Sequence, residues 1–128
     1  MAEMTIKKRP KNLDLTTIRL PLPGKVSILH RVSGAGLFLC LPVILWLFSA
    51  SLTSPETFAS FKGVLSSLPA KVVIAGLIWA YIHHFCAGVR FLLLDLHVGI
   101  EKEAANKSAA VVLAVSIPLT LIFWGVLL

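Results

Sequence analysis

The chain has 128 residues, of which 57% are hydrophobic and only 14% charged. Soluble domains run nearer 45–50% apolar and roughly 25% charged, so an ordinary water-soluble enzyme is excluded. The formal net charge is +6, which suits either nucleic acid or a membrane surface. Only the placement of the charges separates the two.

Residues 1–24 are polar, basic and broken by Pro10, Pro21 and Pro23, and read as a cytoplasmic extension without a core of its own. Three stretches then carry no Asp, Glu, Lys or Arg: residues 32–50, 72–89 and 108–128, with lengths of 19, 18 and 21. About 20 apolar residues at 1.5 Å rise each cross a ~30 Å hydrocarbon core. The expectation is an all-α membrane protein with three transmembrane helices in up-down-up order, over about 25–51, 70–96 and 107–128. Together they form an anchor domain over 25–128. The loop between the first two helices, bounded by Pro55 and Pro69, has room for one short interfacial helix. Pro42 and Pro118 fall inside the first and third helices, where membrane bundles accommodate proline as a kink.

Seven cations precede residue 32, and three more (Arg90, Lys102, Lys107) follow the second span. The first loop holds two, Lys62 and Lys71. The positive-inside rule therefore puts the N-terminus and the 90–107 loop in the cytoplasm and the C-terminus outside. Seven cations interleaved with Pro and Leu make a poor RNA-binding tail, so no nucleic-acid partner is expected. The first span starts too late, and its flanks are too basic, for a cleaved signal peptide. Cys40 and Cys86 both lie in spans, form neither CxxC nor CxxCH, and read as packing residues. Three helices enclose no obvious pore, so a protein partner is expected rather than a self-sufficient transporter.

Ionisable residues within a span are costly and mark function by default. The second helix carries His83 and His84 in mid-span, then Arg90 and Asp95. Gly88, Phe91 and Asp95 follow His84 at i+4, i+7 and i+11, so all four share one face. A histidine one turn from a glycine suits a flat macrocycle, because imidazole ligates iron and the missing side chain leaves room for the ring. The plainer alternative is a hydrogen bond from His84 to a neighbouring helix. His83 points about 100° away around the helix and cannot share that metal. At the start of the first helix, Ser27 and Arg31 share a face, with His30 beside them. A hydroxyl beside a guanidinium at the membrane edge suits a quinone headgroup. The alternative is an Arg31 that merely snorkels to the interface. His84 lies six residues deeper than Arg90, roughly 9 Å, so a haem on His84 would turn its propionates toward this cationic layer.

The strings R9-P10-K-N-L-D-L-T-T-I-R19, S27-I-L-H-R31-V-S-G34 and H84-x3-G-V-R90-F-L-L-L-D95 resemble the cytochrome b membrane-anchor subunits of bacterial succinate dehydrogenase, respiratory complex II. The resemblance covers nearly the whole chain. It implies half of a two-chain haem-binding helical bundle in the bacterial inner membrane. On that resemblance His84 is an axial ligand of a b-type haem, with the other ligand from a second anchor subunit. His30 and Arg31 are implied as haem-propionate contacts, and Ser27, Ile28 and Arg31 as quinone-binding. Gly88, Arg90 and Asp95 are supporting residues. Phe91 departs from the histidine that many members carry there, and His83 and His97 match no family role. The family further implies a flavoprotein and an iron–sulfur subunit on the cytoplasmic face, because this chain holds neither GxGxxG nor a cysteine run. It is therefore not an enzyme alone; the complex passes electrons from succinate to ubiquinone. The alternatives are a fumarate reductase anchor using menaquinol, a haem-free structural subunit, or half of a small transporter.

Overall fold

The computed structural model describes residues 17–127, so most of the basic extension lies outside the described residues. Four helices follow in order: α1 (Leu22–Ser51), α2 (Pro55–Ser66), α3 (Leu68–Asp95) and α4 (Lys102–Leu127). α1, α3 and α4 are long and apolar enough to cross a membrane, which bears out the all-helical, three-span expectation. α2 occupies the loop where a short helix was expected.

Each long helix starts earlier than its sequence suggests. α1 and α3 include Pro23 and Pro69 in their first turns, because a proline there gives up an N–H that would be unpaired anyway. α4 begins at Lys102 rather than near 107. Its charged first turns are held by a Glu103–Lys107 ion pair of 2.7 Å at i, i+4, the orientation that favours a helix. α2 is fixed by a reciprocal cap. The Thr57 N–H donates to Ser54 Oγ at 3.2 Å, and the Ser54 N–H donates to Thr57 Oγ1 at 3.0 Å. Hydrogen bonds from Ser54 and from its own backbone hold the exposed Glu56 carboxyl below its usual range.

α3 ends in a tight reversal. The Val98 N–H donates to the Leu93 carbonyl at 3.0 Å and the His97 N–H to that of Leu94 at 2.9 Å. His97 takes φ +61°. This is a Schellman turn with histidine where glycine is usual, and it gives His97 a structural place. Gly99, at φ +73°, completes the reversal into α4.

α3 packs against both α1 and α4. Small side chains make the junction: Val26, Ala87 and Ala109 are fully buried, with Val112 nearly so. Alanines let the backbones approach, as membrane helices require where water supplies no driving force. Most large apolar side chains instead point outward, Phe38 and Trp46 among them, as suits lipid or a partner. Toward the α3 C-terminus the buried Arg90 bridges to α4, donating from Nε to Ser108 Oγ at 2.9 Å and from Nη2 to the Ala105 carbonyl at 3.2 Å. Ser108→Ala should lower the unfolding free energy in detergent by about 0.6–2 kcal/mol. Arg90→Leu, which removes both bonds, should lower it further. Reversible unfolding in SDS reads this, and equal stability of all three forms would show that the bridge contributes nothing.

Candidate functional site

α1 and α3 run antiparallel, and their contact is built on histidines. The rings of His30 and His84 stack with centroids 4.1 Å apart and planes 5° from parallel. His84 Nδ1 lies 3.0 Å from the His30 carbonyl oxygen. A carbonyl can only accept, so Nδ1 carries the proton, and a neutral imidazole then leaves Nε2 with a free lone pair. Among the described residues nothing hydrogen-bonds to that Nε2.

The half-buried His30 ring meets α3 at two further places. A Cβ on Gly88 would lie 3.6 Å from His30 Nε2, an ordinary contact, so His30 occupies the room expected beside Gly88. Phe91 tilts against the same ring at 5.1 Å. Ser33 and Gly34 also meet His84: Ser33 Oγ is 3.3 Å from Nδ1, and a Cβ on Gly34 would stand 2.6 Å from Cε1. Both residues lie within the S27…G34 string. Reading α1 by itself gave them no role, because their function depends on which α3 residue faces them.

One turn toward the start of α1, Ser27 is half-buried, and its hydroxyl makes no hydrogen bond among the described residues. Ile28 and Arg31 are exposed, and Arg31 has no ion pair among the described residues. Because the helices are antiparallel, this end of α1 lies beside the Phe91–Asp95 end of α3. Asp95 is exposed there and unpaired among the described residues. Arg90 is not part of this layer; its guanidinium is tied to α4.

His83, to which the sequence assigned no role, is a buried polar group. It is 0% exposed and stacks on Trp79 at 5.0 Å. Among the described residues neither nitrogen makes a hydrogen bond of good geometry, although the Val26 backbone acts on the ring. Leaving such a group unpaired costs about 1–3 kcal/mol. His83→Phe keeps a ring on Trp79 and should raise stability by about that amount in the same SDS unfolding. A loss of stability would mean that the imidazole is paired beyond the described residues.

No group of three or more His, Cys, Asp or Glu gathers among the described residues. His84 Nε2 is thus a donor without companion ligands among the described residues, which suits a metal whose other ligands arrive with it. The stacked His30 cannot be the opposite ligand. Imidazole lone pairs lie in the ring plane, and two face-to-face rings do not converge on one ion between them. Haem, which carries most of its own ligands, would fit this donor set, and His84 would hold it through Nε2.

Fold and site together define a helical membrane subunit with a histidine-built seam between its first and third helices. The family model for the succinate dehydrogenase/fumarate reductase transmembrane subunit matches residues 5–123, and the chain belongs to that family. Among similar proteins is the succinate dehydrogenase cytochrome b556 subunit of Paracoccus denitrificans, 34% identical over 122 residues, covering 95% of this chain and 94% of the relative. The subunit of the same name from Coxiella burnetii is 36% identical over 110 residues, 85% of this chain and 88% of the relative. That of Rickettsia felis is 28% identical over 117 residues, 91% of each. The resemblance drawn from the motifs is borne out.

Proposed function

We propose that this chain is a membrane-anchoring subunit of a succinate:ubiquinone oxidoreductase, that it binds haem b together with a second anchor subunit, and that it forms part of the ubiquinone site. The observation that carries the reading is the His84 imidazole, whose Nδ1 is tied to the His30 carbonyl at 3.0 Å while Nε2 stays free. Hydrogen bonds of this kind, made by the ring nitrogen away from the metal, fix the tautomer and orientation of ligating histidines. Haem b, when bound, supplies one-electron redox chemistry beside the quinone. Arg31 offers positive charge, and His30 a ring N–H, for its propionates. The relatives are named for succinate dehydrogenase, which favours succinate oxidation over the fumarate-reducing alternative.

Reduction of ubiquinone takes two electrons and two protons. In this reading the electrons come from succinate oxidation in a flavoprotein subunit and pass through an iron–sulfur subunit docked on the cytoplasmic face. Ser27 donates its unengaged hydroxyl to a quinone carbonyl oxygen. Arg31 stabilises the negative charge that builds there as electrons arrive, and Ile28 contacts the ring. Gly88 and Asp95 support this end of the seam, and protons enter from the cytoplasm.

The orientation follows from the cation count: N-terminus and α3–α4 turn in the cytoplasm, C-terminus outside, in a bacterial inner membrane. A phosphatase reporter that folds only in the periplasm should be active after residue 127 and silent after Gly99. The reverse pattern would overturn the topology.

The main test is a reduced-minus-oxidised visible spectrum of the intact complex purified through this chain, before and after succinate. A low-spin b-type signal is expected, with the dehydrogenase subunits co-eluting, and His84→Ala should remove or disturb it. Ser27→Ala and Arg31→Ala should reduce quinone reduction by two orders of magnitude or more, about 3 kcal/mol of lost stabilisation, while succinate oxidation with an artificial acceptor survives. Equal loss with both acceptors would contradict the quinone assignment. A colourless complex would contradict the haem.

A further inference from the structure

Two residues on one turn of α1 touch the His84 ring and have so far been given no task. Ser33 is only 5% exposed, and its hydroxyl donates to the His30 carbonyl at 2.9 Å. A serine hydroxyl has one proton. With that proton committed, Ser33 Oγ can only accept from His84 Nδ1, 3.3 Å away. The Nδ1–H therefore sits between two acceptors, both on α1, and the other tautomer would set a lone pair against each.

Gly34 lies against the same ring. A Cβ there would stand 2.6 Å from Cε1 and 3.1 Å from Nδ1. The ring has no easy retreat, since it is stacked on His30 at 4.1 Å and tethered through Nδ1. Gly36, two residues on, differs: a Cβ there meets nothing within 4 Å. Close approach, not helix composition, is what Gly34 provides.

We propose that Ser33 and Gly34 are positioning residues for His84, which hold its imidazole against α1 in the one orientation that leaves Nε2 to take the axial bond. This rests on the haem reading above and adds what sets the ligand's geometry. Ser33 keeps the tautomer; Gly34 makes the space. The same contact ties ligand orientation to the packing of α1 on α3, so the chain's own fold prepares the ligand before any partner arrives.

The test uses the complete complex carrying Gly34→Ala, Ser33→Ala, Ser33→Thr or the control Gly36→Ala. Three properties are read: haem-to-protein ratio, low-spin spectrum and haem midpoint potential. Gly34→Ala should weaken haem retention roughly 10–100-fold, the usual range for loss of outer-shell support, and disturb the low-spin signal of what remains. Ser33→Ala should keep haem but move its potential by about a tenfold change in the reduction equilibrium, ~59 mV for one electron. Ser33→Thr, which keeps the hydroxyl, should return to the parent value, and Gly36→Ala should match the parent throughout. An assembled Gly34→Ala complex with parental haem content and spectrum overturns the proposal. So does a Ser33→Ala complex with parental potential, and this pair decides the matter if Gly34→Ala fails to assemble. A parent complex without haem overturns the haem reading itself; a haem-containing parent with unaltered variants overturns the positioning role alone.

Discussion

In hydrocarbon no water is present to receive a hydrogen bond, and every polar group must find its partner within the protein. That constraint shapes this chain from the backbone outward. Three long helices satisfy their own main chains. Pro42 and Pro118 interrupt the ladder, withdrawing the donors that the Phe38 and Ala114 carbonyls would otherwise receive. Buried serine and threonine hydroxyls turn back on their own helices: Ser51 to the Phe48 carbonyl at 2.7 Å, Thr120 to that of Ser116 at 2.7 Å. These residues fill space without demanding a neighbour.

Longer polar side chains cannot turn back in this way, and they define how the helices meet. Arg90 reaches from α3 to α4 and spends its donors on Ser108 and Ala105. His84 reaches from α3 to α1 and spends its proton on the His30 carbonyl. The buried apolar junction of Val26, Ala87, Ala109 and Val112 is too small to fix the packing alone. Two directional contacts, one on each side of α3, set the arrangement that the small residues then allow. His83 stands apart, sealed in the same seam with neither nitrogen hydrogen-bonded among the described residues.

The same economy links structure to the proposed chemistry. Among the described residues, His84 Nε2 remains without a hydrogen-bond partner at the seam, and the Ser27 hydroxyl remains so one turn nearer the end of α1. Arg31 and Asp95 stand exposed at that end. In the proposed reading, His84 is where a redox group would enter the interior and Ser27 is where a quinone would meet the edge. The outward apolar faces, rich in residues such as Phe38, Leu39 and Trp46, leave ample surface for lipid and for a second anchor subunit.

The sequence by itself determined three helical spans, the shared face of His84 and Gly88, and the family, because hydropathy and motif spacing are local properties read along one chain. It missed by a few residues where the helices start, because Pro23 and Pro69 look like breakers until they are seen in a first turn, where no bond is lost. Tertiary structure alone decided which atoms meet: that His84 gives its proton to α1, that Gly34 rather than Gly88 is the glycine pressed against its ring, that Arg90 turns to α4, and that His83 is buried. Rotation about a helix axis leaves the local pattern unchanged, so only the packing of one helix on another can say which face each residue meets.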